Sequence, residues 1–484
     1  MEHILARKRE IKVLDRIYHS EQPEFLGIYG RRRIGKTFLI RQYFKKKGIY
    51  FELTGIKNGS LKQQLYHFRI EYTRIFGSLP SSAPSNWLEA FNLLREAIEK
   101  CGVPGRIILF FDELPWLATP RSGLLQAMEH FWNRYVSDDH RVILIVCGSS
   151  ASWMINKVLR NKGGLHGRLT AEIKLLPFDL EETEIFLNSR GIALQKKQLI
   201  DIYMAIGGVA KYLTYVGKGE SSLQAISQIC FEGPLYREFD ELYASLFDHF
   251  EHHVNIVKAL AERSVGLTKN EICEKTNLKS GGGLNKILDE LESSGFILPI
   301  AGFDTPVKNI RYRLVDEYSL FYLKWISQTK AVAISQIDKD FWIKMGNTPA
   351  GRAWAGYAFE GVCLKNISKI KAALGIASVL TRESEWIYKA TKNDDDQGVQ
   401  IDLLIDRADQ CINLCEIKYY SGEYVIDKDY ALKLQRKKNM FIEKSKTKKS
   451  VFTTLITTYG VKKNSFAQEV VDKELTMTDL FGGV

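Results

Sequence analysis

The sequence predicts a multidomain α/β protein, and three observations predict it. An apolar strand runs through a glycine-bounded basic loop into a helix near the N-terminus. Three short helices and a strand pair follow one another over 254–314. After about residue 345 the pattern resets to helix, strands, helix, strand. The 484 residues, at roughly 150 per domain, allow about three domains. A hydrophobic fraction of 45% and a charged fraction of 26% exclude collagen-like, mucin-like and largely disordered chains.

The longest apolar runs, such as Val142 to Cys147, fall far short of the ~20 residues needed to cross a bilayer. The start MEHILARKRE carries no apolar signal core, so a cytoplasmic protein is expected, with no membrane partner. Seven cysteines without CxxC spacing argue against a disulfide framework and a zinc ribbon, leaving reduced thiols. Lys and Arg total 68 against 57 acids, a net +11, and 428–463 alone holds eleven basic residues against two acids. A localised basic stretch is either the footprint of a phosphate-backbone binder or a solvated helix face.

The first element is the strand Phe25 to Tyr29, which enters Gly30-Arg31-Arg32-Arg33-Ile34-Gly35-Lys36-Thr37-Phe38 and then a helical period. This matches GxxxxGK[ST] in full. The glycines let consecutive backbone N–H groups wrap phosphates, and the helix offers its positive dipole end. Residues 30–38 are therefore the candidate nucleotide-binding residues, with Lys36 on the β/γ-phosphates and the Thr37 hydroxyl on Mg²⁺. The strand Arg106 to Asp112 ends in an acidic pair, in which Asp112 would hold Mg²⁺ through water and Glu113 would orient or deprotonate the attacking water. The next apolar strand, Val142 to Cys147, ends in Gly148-Ser149-Ser150, which would set the Ser149 hydroxyl beside the γ-phosphate.

With Arg7-Lys-Arg-Glu10 before the loop, and Leu165-His-Gly167-Arg168 and Leu176-Pro177-Phe178 after it, the chain resembles the archaeal-type AAA-like ATPases, near the STAND group of signalling NTPases. The resemblance covers roughly residues 1 to 330. It implies a P-loop NTPase core over 1–178, a helical lid over 179–250, and ATP as the nucleotide. No Asn-Lys-x-Asp guanine signature is present, since Asn161-Lys162 is followed by Gly163-Gly164. The resemblance makes Arg168 an arginine finger or γ-phosphate sensor; a surface arginine after a tight glycine turn is the other reading. An Arg168 acting in trans implies an oligomer, and in cis a monomer. Where such lids read Gly-Gly-x-Pro, this chain reads Gly207-Gly208-Val209-Ala210.

Residues 251–330 have the order of a winged helix-turn-helix, with Thr268 and Glu271 forming a capping box. Lys286 is outnumbered by Asp289, Glu290 and Glu292 on the third helix, which favours packing or a protein partner over DNA. Tyr318, Phe321, Tyr322 and Trp325 lie at i, i+3, i+4, i+7 and predict a core face.

In the last domain, 345–484, a helix over Gly351 to Ile367 carries Glu360, and strands are expected near Glu385 to Tyr388, Val399 to Asp406 and Cys411 to Lys418. Asp394-Asp395-Asp396 reads as a solvated hairpin turn. Asp402 interrupts an apolar strand, and period-two alternation puts Glu416 and Lys418 on one face. Carboxylates from adjacent strands can share Mg²⁺, and a lysine beside them can position a water and stabilise a pentacovalent phosphate. Cross-strand salt bridges produce the same pattern. The Asp, the Glu-x-Lys and the domain order resemble the PD-(D/E)xK nuclease core, in particular the DUF234-type domain that accompanies archaeal-type ATPases. The resemblance implies a restriction-endonuclease-like α/β fold, Asp402 and Glu416 as ligands of Mg²⁺ or Mn²⁺, Lys418 as the catalytic lysine and Glu360 as an auxiliary ligand; a solvated acid on an amphipathic helix is the other reading of Glu360. The basic helix from Lys428 to Lys438 would then meet the DNA backbone.

The principal expectation is an ATP-regulated, metal-dependent DNA nuclease. The alternative is a STAND-like nucleotide-gated signalling switch whose nuclease-like domain binds nucleic acid or a partner without cutting.

Overall fold

The computed structural model describes residues 4–77, 82–102, 105–160, 165, 167–247, 249–303, 310–329, 340–388 and 398–482. The expected turn at Asp394 to Asp396 and the segment Asn161 to Gly164 lie outside the described residues. The chain divides into two compact units, Met1–Pro177 and Phe178–Val484.

The first unit is built on a parallel five-stranded sheet. Its strands are β1 Glu24–Tyr29, β2 Ile49–Thr54, β3 Ile107–Asp112, β4 Val142–Gly148 and β5 Ala171–Lys174, in the order β2-β3-β4-β1-β5. β1, β3 and β4 are buried along their whole length, as their continuous apolar runs require of parallel strands covered on both faces. Helices Leu61–Phe76, Trp87–Lys100 and Leu124–Arg134 cover one face. Phe91 packs edge-on against Phe111 of β3 at 5.6 Å and stacks on Phe131 at 5.1 Å. Because β1 pairs with β4 rather than with β2, the loops leaving the carboxyl ends of β1, β3 and β4 open side by side, where open α/β sheets bind ligands.

The second unit begins with helices Leu180–Ser189, Lys196–Ile206 and Glu238–Leu246, interrupted by a π turn over Gln228–Glu232 and a 3₁₀ turn over Pro234–Tyr236. Next come helix Glu251–Ala261, β6 Leu267–Thr268, helices Lys269–Thr276 and Gly282–Ser293, and the antiparallel pair β7 Ile297–Ile300 and β8 Arg311–Leu314, in a sheet ordered β6-β8-β7. Thr268 and Glu271 form the capping box in full. On the third helix Glu290 bonds the buried His253 at 2.8 Å and lies 3.8 Å from Lys286 of the same helix. Tyr318, Phe321, Tyr322 and Trp325 are all buried, as a core face should be.

The unit ends in a mixed sheet of β9 Thr381–Tyr388, β10 Val399–Arg407, β11 Cys411–Lys418, β12 Ser450–Thr457 and β13 Lys473–Thr476. β9, β10 and β11 are antiparallel, whereas β12 and β13 run parallel to β11. Helix Pro349–Lys365 precedes this sheet, and the 18-residue basic helix Lys428–Ser445 links β11 to β12, burying Ala431, Leu434, Met440 and Phe441. The free edge of β9 is covered by the end of the β7 hairpin: Glu385 N donates to Ala301 O at 3.1 Å and Phe303 N to Glu385 O at 3.0 Å.

Burial pushes the Glu385 carboxyl up to about 7 against the pull of Arg311 and Arg313. The folded carboxyl thus holds its proton more tightly than the unfolded one, whose usual value is 4.5, and stability is lost as pH rises from below 4.5 toward 7. Glu385→Gln should melt higher than the wild type at pH 8, by up to about 3 kcal/mol, with the difference shrinking toward zero near pH 4. A difference that stays constant across that range in thermal melts contradicts this account.

Candidate functional site

The nucleotide-type site lies at the carboxyl ends of β1, β3 and β4. The chain leaves β1 through Gly30 at φ 150°, where a Cβ would come within 2.2 Å of the Leu175 carbonyl oxygen. Gly35, at φ 97°, caps the helix Lys36–Phe44. Between them the loop curls around its own lysine: the buried Lys36 Nζ donates to Gly30 O at 2.8 Å and Arg31 O at 2.9 Å. Arg31 and Ile34 are buried, Arg32 lies 5.7 Å from the Trp116 ring, Arg33 adopts φ 68°, and Phe38 is exposed. The Thr37 hydroxyl donates to Asp112 Oδ2 at 2.7 Å, joining the loop to the end of β3.

Glu113, at φ 48°, begins the turn after β3. Its Oε2 accepts from Ser149 N at 3.1 Å and from Ser149 Oγ at 2.7 Å. Ser149, expected beside a phosphate, therefore holds the carboxylate expected to act on water. The structure gathers Lys36, Thr37, Asp112, Glu113 and Ser149 through these bonds. It does not add Arg168, which sits exposed in the turn after Leu165, its N–H donating to Leu165 O at 3.1 Å. It does add Arg7, a buried residue ahead of the first helix, whose Nη2 donates to Ile34 O at 3.2 Å. The pair of hard oxygen donors on Thr37 and Asp112, with an ammonium set in a glycine-bounded loop, fits a nucleotide triphosphate with Mg²⁺.

The second site is carried by β10 and β11. The register of β10 against β9 shifts between Ile401 and Leu404, and the bulge at Asp402 turns its carboxylate toward β11, where Ile417 N approaches Oδ2 at 3.4 Å. On β11 the alternation holds: Lys418 Nζ donates to Glu416 Oε1 at 3.0 Å. A second lysine, which no spacing argument singled out, arrives from the basic helix. Lys437 Nζ donates to both Glu416 oxygens, at 2.9 and 2.6 Å.

Burial, with Glu416 and Glu360 nearby, pushes Asp402 well above the usual carboxylate range. Burial works on Glu416 in the same direction, but Lys418 and Lys437 outweigh it and hold that carboxyl low. For Lys418, burial opposes the charge, and Glu416 and Asp402 outweigh it, so its pKa rises. Two carboxylates on adjacent strands are thereby driven apart in protonation.

The expected metal triad is not assembled. Among the described residues, no group of three or more His, Cys, Asp or Glu side chains is set to hold a metal ion. Glu360 is drawn instead to Arg313 of β8, a buried guanidinium whose Nη2 donates to it at 2.8 Å. Asp402 and Glu416 remain as a two-carboxylate set, which suits Mg²⁺ because that ion takes one or two carboxylates and keeps its other positions for water and phosphate.

Residues 5–216 match a family described as an ATPase domain predominantly from Archaea. An uncharacterized protein of Methanocaldococcus jannaschii, MJECL04, is 26% identical over 414 residues, 82% of this chain and 83% of that protein. The uncharacterized ATP-binding protein MJ0423 of the same organism is 40% identical over 43 residues, 9% of this chain and 73% of that protein. Among solved structures, the Walker-type ATPase PABY2304 of Pyrococcus abyssi is similar at 17% identity and a TM-score of 0.47, covering 66% of this chain and 96% of that one. The N-terminal part of the chain is a P-loop ATPase domain. No helix among the described residues is long and apolar enough to cross a membrane.

Proposed function

We propose that this protein is an ATP-regulated, metal-dependent nuclease, with ATP handled at Lys36, Thr37, Asp112 and Glu113, and phosphodiester cleavage at Asp402, Glu416 and Lys418. The observation that carries the second half is the meeting of Asp402, from a bulged strand, with the Glu416–Lys418 pair on its neighbour. Mg²⁺ or Mn²⁺ held by the two carboxylates would supply Lewis acidity and a water of lowered pKa. Lys418, 3.0 Å from Glu416, would orient that water and neutralise charge building on the phosphate oxygens during in-line attack. At the other site Lys36 would neutralise the β/γ-phosphates, and Glu113, once released by Ser149, would orient water on the γ-phosphorus.

The helices that follow the ATPase core within the second unit touch the cleavage domain. The Tyr419 hydroxyl, next to Lys418, donates to Asp201, and Lys369 bonds Glu181 at 2.6 Å. Nucleotide-driven movement of those helices would reach β11 by this route. The winged-helix-like part, whose hairpin is occupied on β9, would serve packing or a protein partner.

The test is cleavage of plasmid and single-stranded DNA by the purified protein with Mg²⁺ or Mn²⁺, with and without ATP. Cutting that disappears on chelation supports the reading; products that persist unchanged in chelator overturn it. A second reading, a nucleotide-gated switch that binds without cutting, is favoured by one observation: Lys437 already neutralises both oxygens of Glu416. It predicts ATP hydrolysis with no cleavage under any metal.

A further inference from the structure

Beside the carboxylate–lysine cluster, a cavity of about 610 Å³ opens between the basic helix Lys428–Ser445 and the start of β10. Its helix wall is Asp429, Leu432, Lys433, Arg436 and Lys437, and its strand wall is Gly398, Val399 and Gln400. Positions 429, 432/433, 436 and 437 follow one helix face. Three cations line it against one acid. Lys437 belongs to both places, lining the cavity while donating to both Glu416 oxygens.

We infer that this cavity is a phosphate-binding subsite for a nucleic-acid strand, seating a backbone phosphate next to the one at the Asp402–Glu416–Lys418 centre, with Lys437 as the link between them. The inference rests on the nucleic-acid reading above and adds where the strand lies. The wall chemistry suits that occupant. Lys433 and Arg436 offer charge and, in the case of Arg436, a planar fork for phosphate oxygens. The exposed Leu432 side chain offers an apolar surface to sugar or base, and the Gln400 amide can hydrogen-bond to either. Asp429, at the far end of the same helix face, would limit how far the strand extends.

The test is fluorescence-anisotropy titration of the full chain, in chelator so that nothing is cut, with labelled 20-nucleotide DNA and RNA, single-stranded and duplex. Lys433→Glu/Arg436→Glu should bind the preferred probe at least tenfold more weakly, and the slope of log affinity against log salt should fall by about one for each phosphate no longer neutralised. Lys462→Glu/Lys463→Glu, an exposed pair in the same domain but outside the cavity, carries the same charge change and should weaken binding far less. Equal melting temperatures of the two variants exclude misfolding, and the milder Lys433→Gln/Arg436→Gln serves if the reversal unfolds the domain. Equal weakening by the two pairs, or an unchanged salt slope, overturns the cavity assignment while leaving nucleic-acid binding standing. A wild type that binds none of the probes overturns that reading and this inference together.

Discussion

Lys36→Ala should lower ATP hydrolysis by at least about 100-fold, the scale on which losing one preorganised charge at a reacting oxyanion is felt, and should weaken ATP binding with it. Lys36 is the cation the loop folds around: its ammonium is buried and bonded to the Gly30 and Arg31 carbonyls at 2.8 and 2.9 Å. Alanine removes the charge and leaves those two carbonyls without their donor, so binding and chemistry fail together. The fold should survive, because the loop's shape comes from Gly30 and Gly35 and from the Arg7 bond to Ile34 O. Steady-state ATPase rates and nucleotide titration calorimetry measure both effects. A variant that keeps wild-type affinity and turnover places the nucleotide elsewhere.

Lys418→Ala should slow strand cleavage by about 100-fold or more while sparing ATP hydrolysis. The variant is informative because Glu416 keeps Lys437, whose two bonds hold the carboxylate in place and prevent a bare buried charge. Loss of cutting can then be assigned to the missing ammonium rather than to collapse of the site. Glu416→Ala would be a poorer test: it removes the carboxylate that both Lys418 and Lys437 bond, and breaking a buried pair costs about 3–5 kcal/mol. Cleavage kinetics of the wild type and Lys418→Ala at matched metal concentration check this, and equal rates in the two contradict it.

The parts legible in the sequence are those whose signal is local. Gly30 to Thr37 is a contiguous pattern with one geometry, and the runs ending at Asp112 and Gly148 are apolar enough to be central parallel strands. Glu416 and Lys418 share a face because a strand alternates, whatever its surroundings. What stayed hidden depends on tertiary approach. Lys437 sits 21 residues after Glu416, among basic residues that look alike in the sequence, and only the packing of Leu434 and Phe441 selects which one turns inward. Arg313 lies in an ordinary strand pattern, and its capture of Glu360 depends on how β8 meets the helix Pro349–Lys365. That approach gives Glu360 a cationic partner that its place on the helix does not foretell. Ser149 stands near the expected chemistry but on a different partner, since its hydroxyl reaches Glu113 across the ends of two strands. The bulge at Asp402 has no signature beyond an acid interrupting an apolar run.

One chain carrying two separate phosphate-chemistry centres, one around Lys36 and one around Lys418, is the central claim. The most direct test measures ATP hydrolysis and metal-dependent strand cleavage side by side in Lys418→Ala. ATP hydrolysis is expected within about twofold of the wild type, with cleavage slowed by at least about 100-fold. Cleavage equal to that of the wild type, or ATP hydrolysis lost along with it, contradicts the claim.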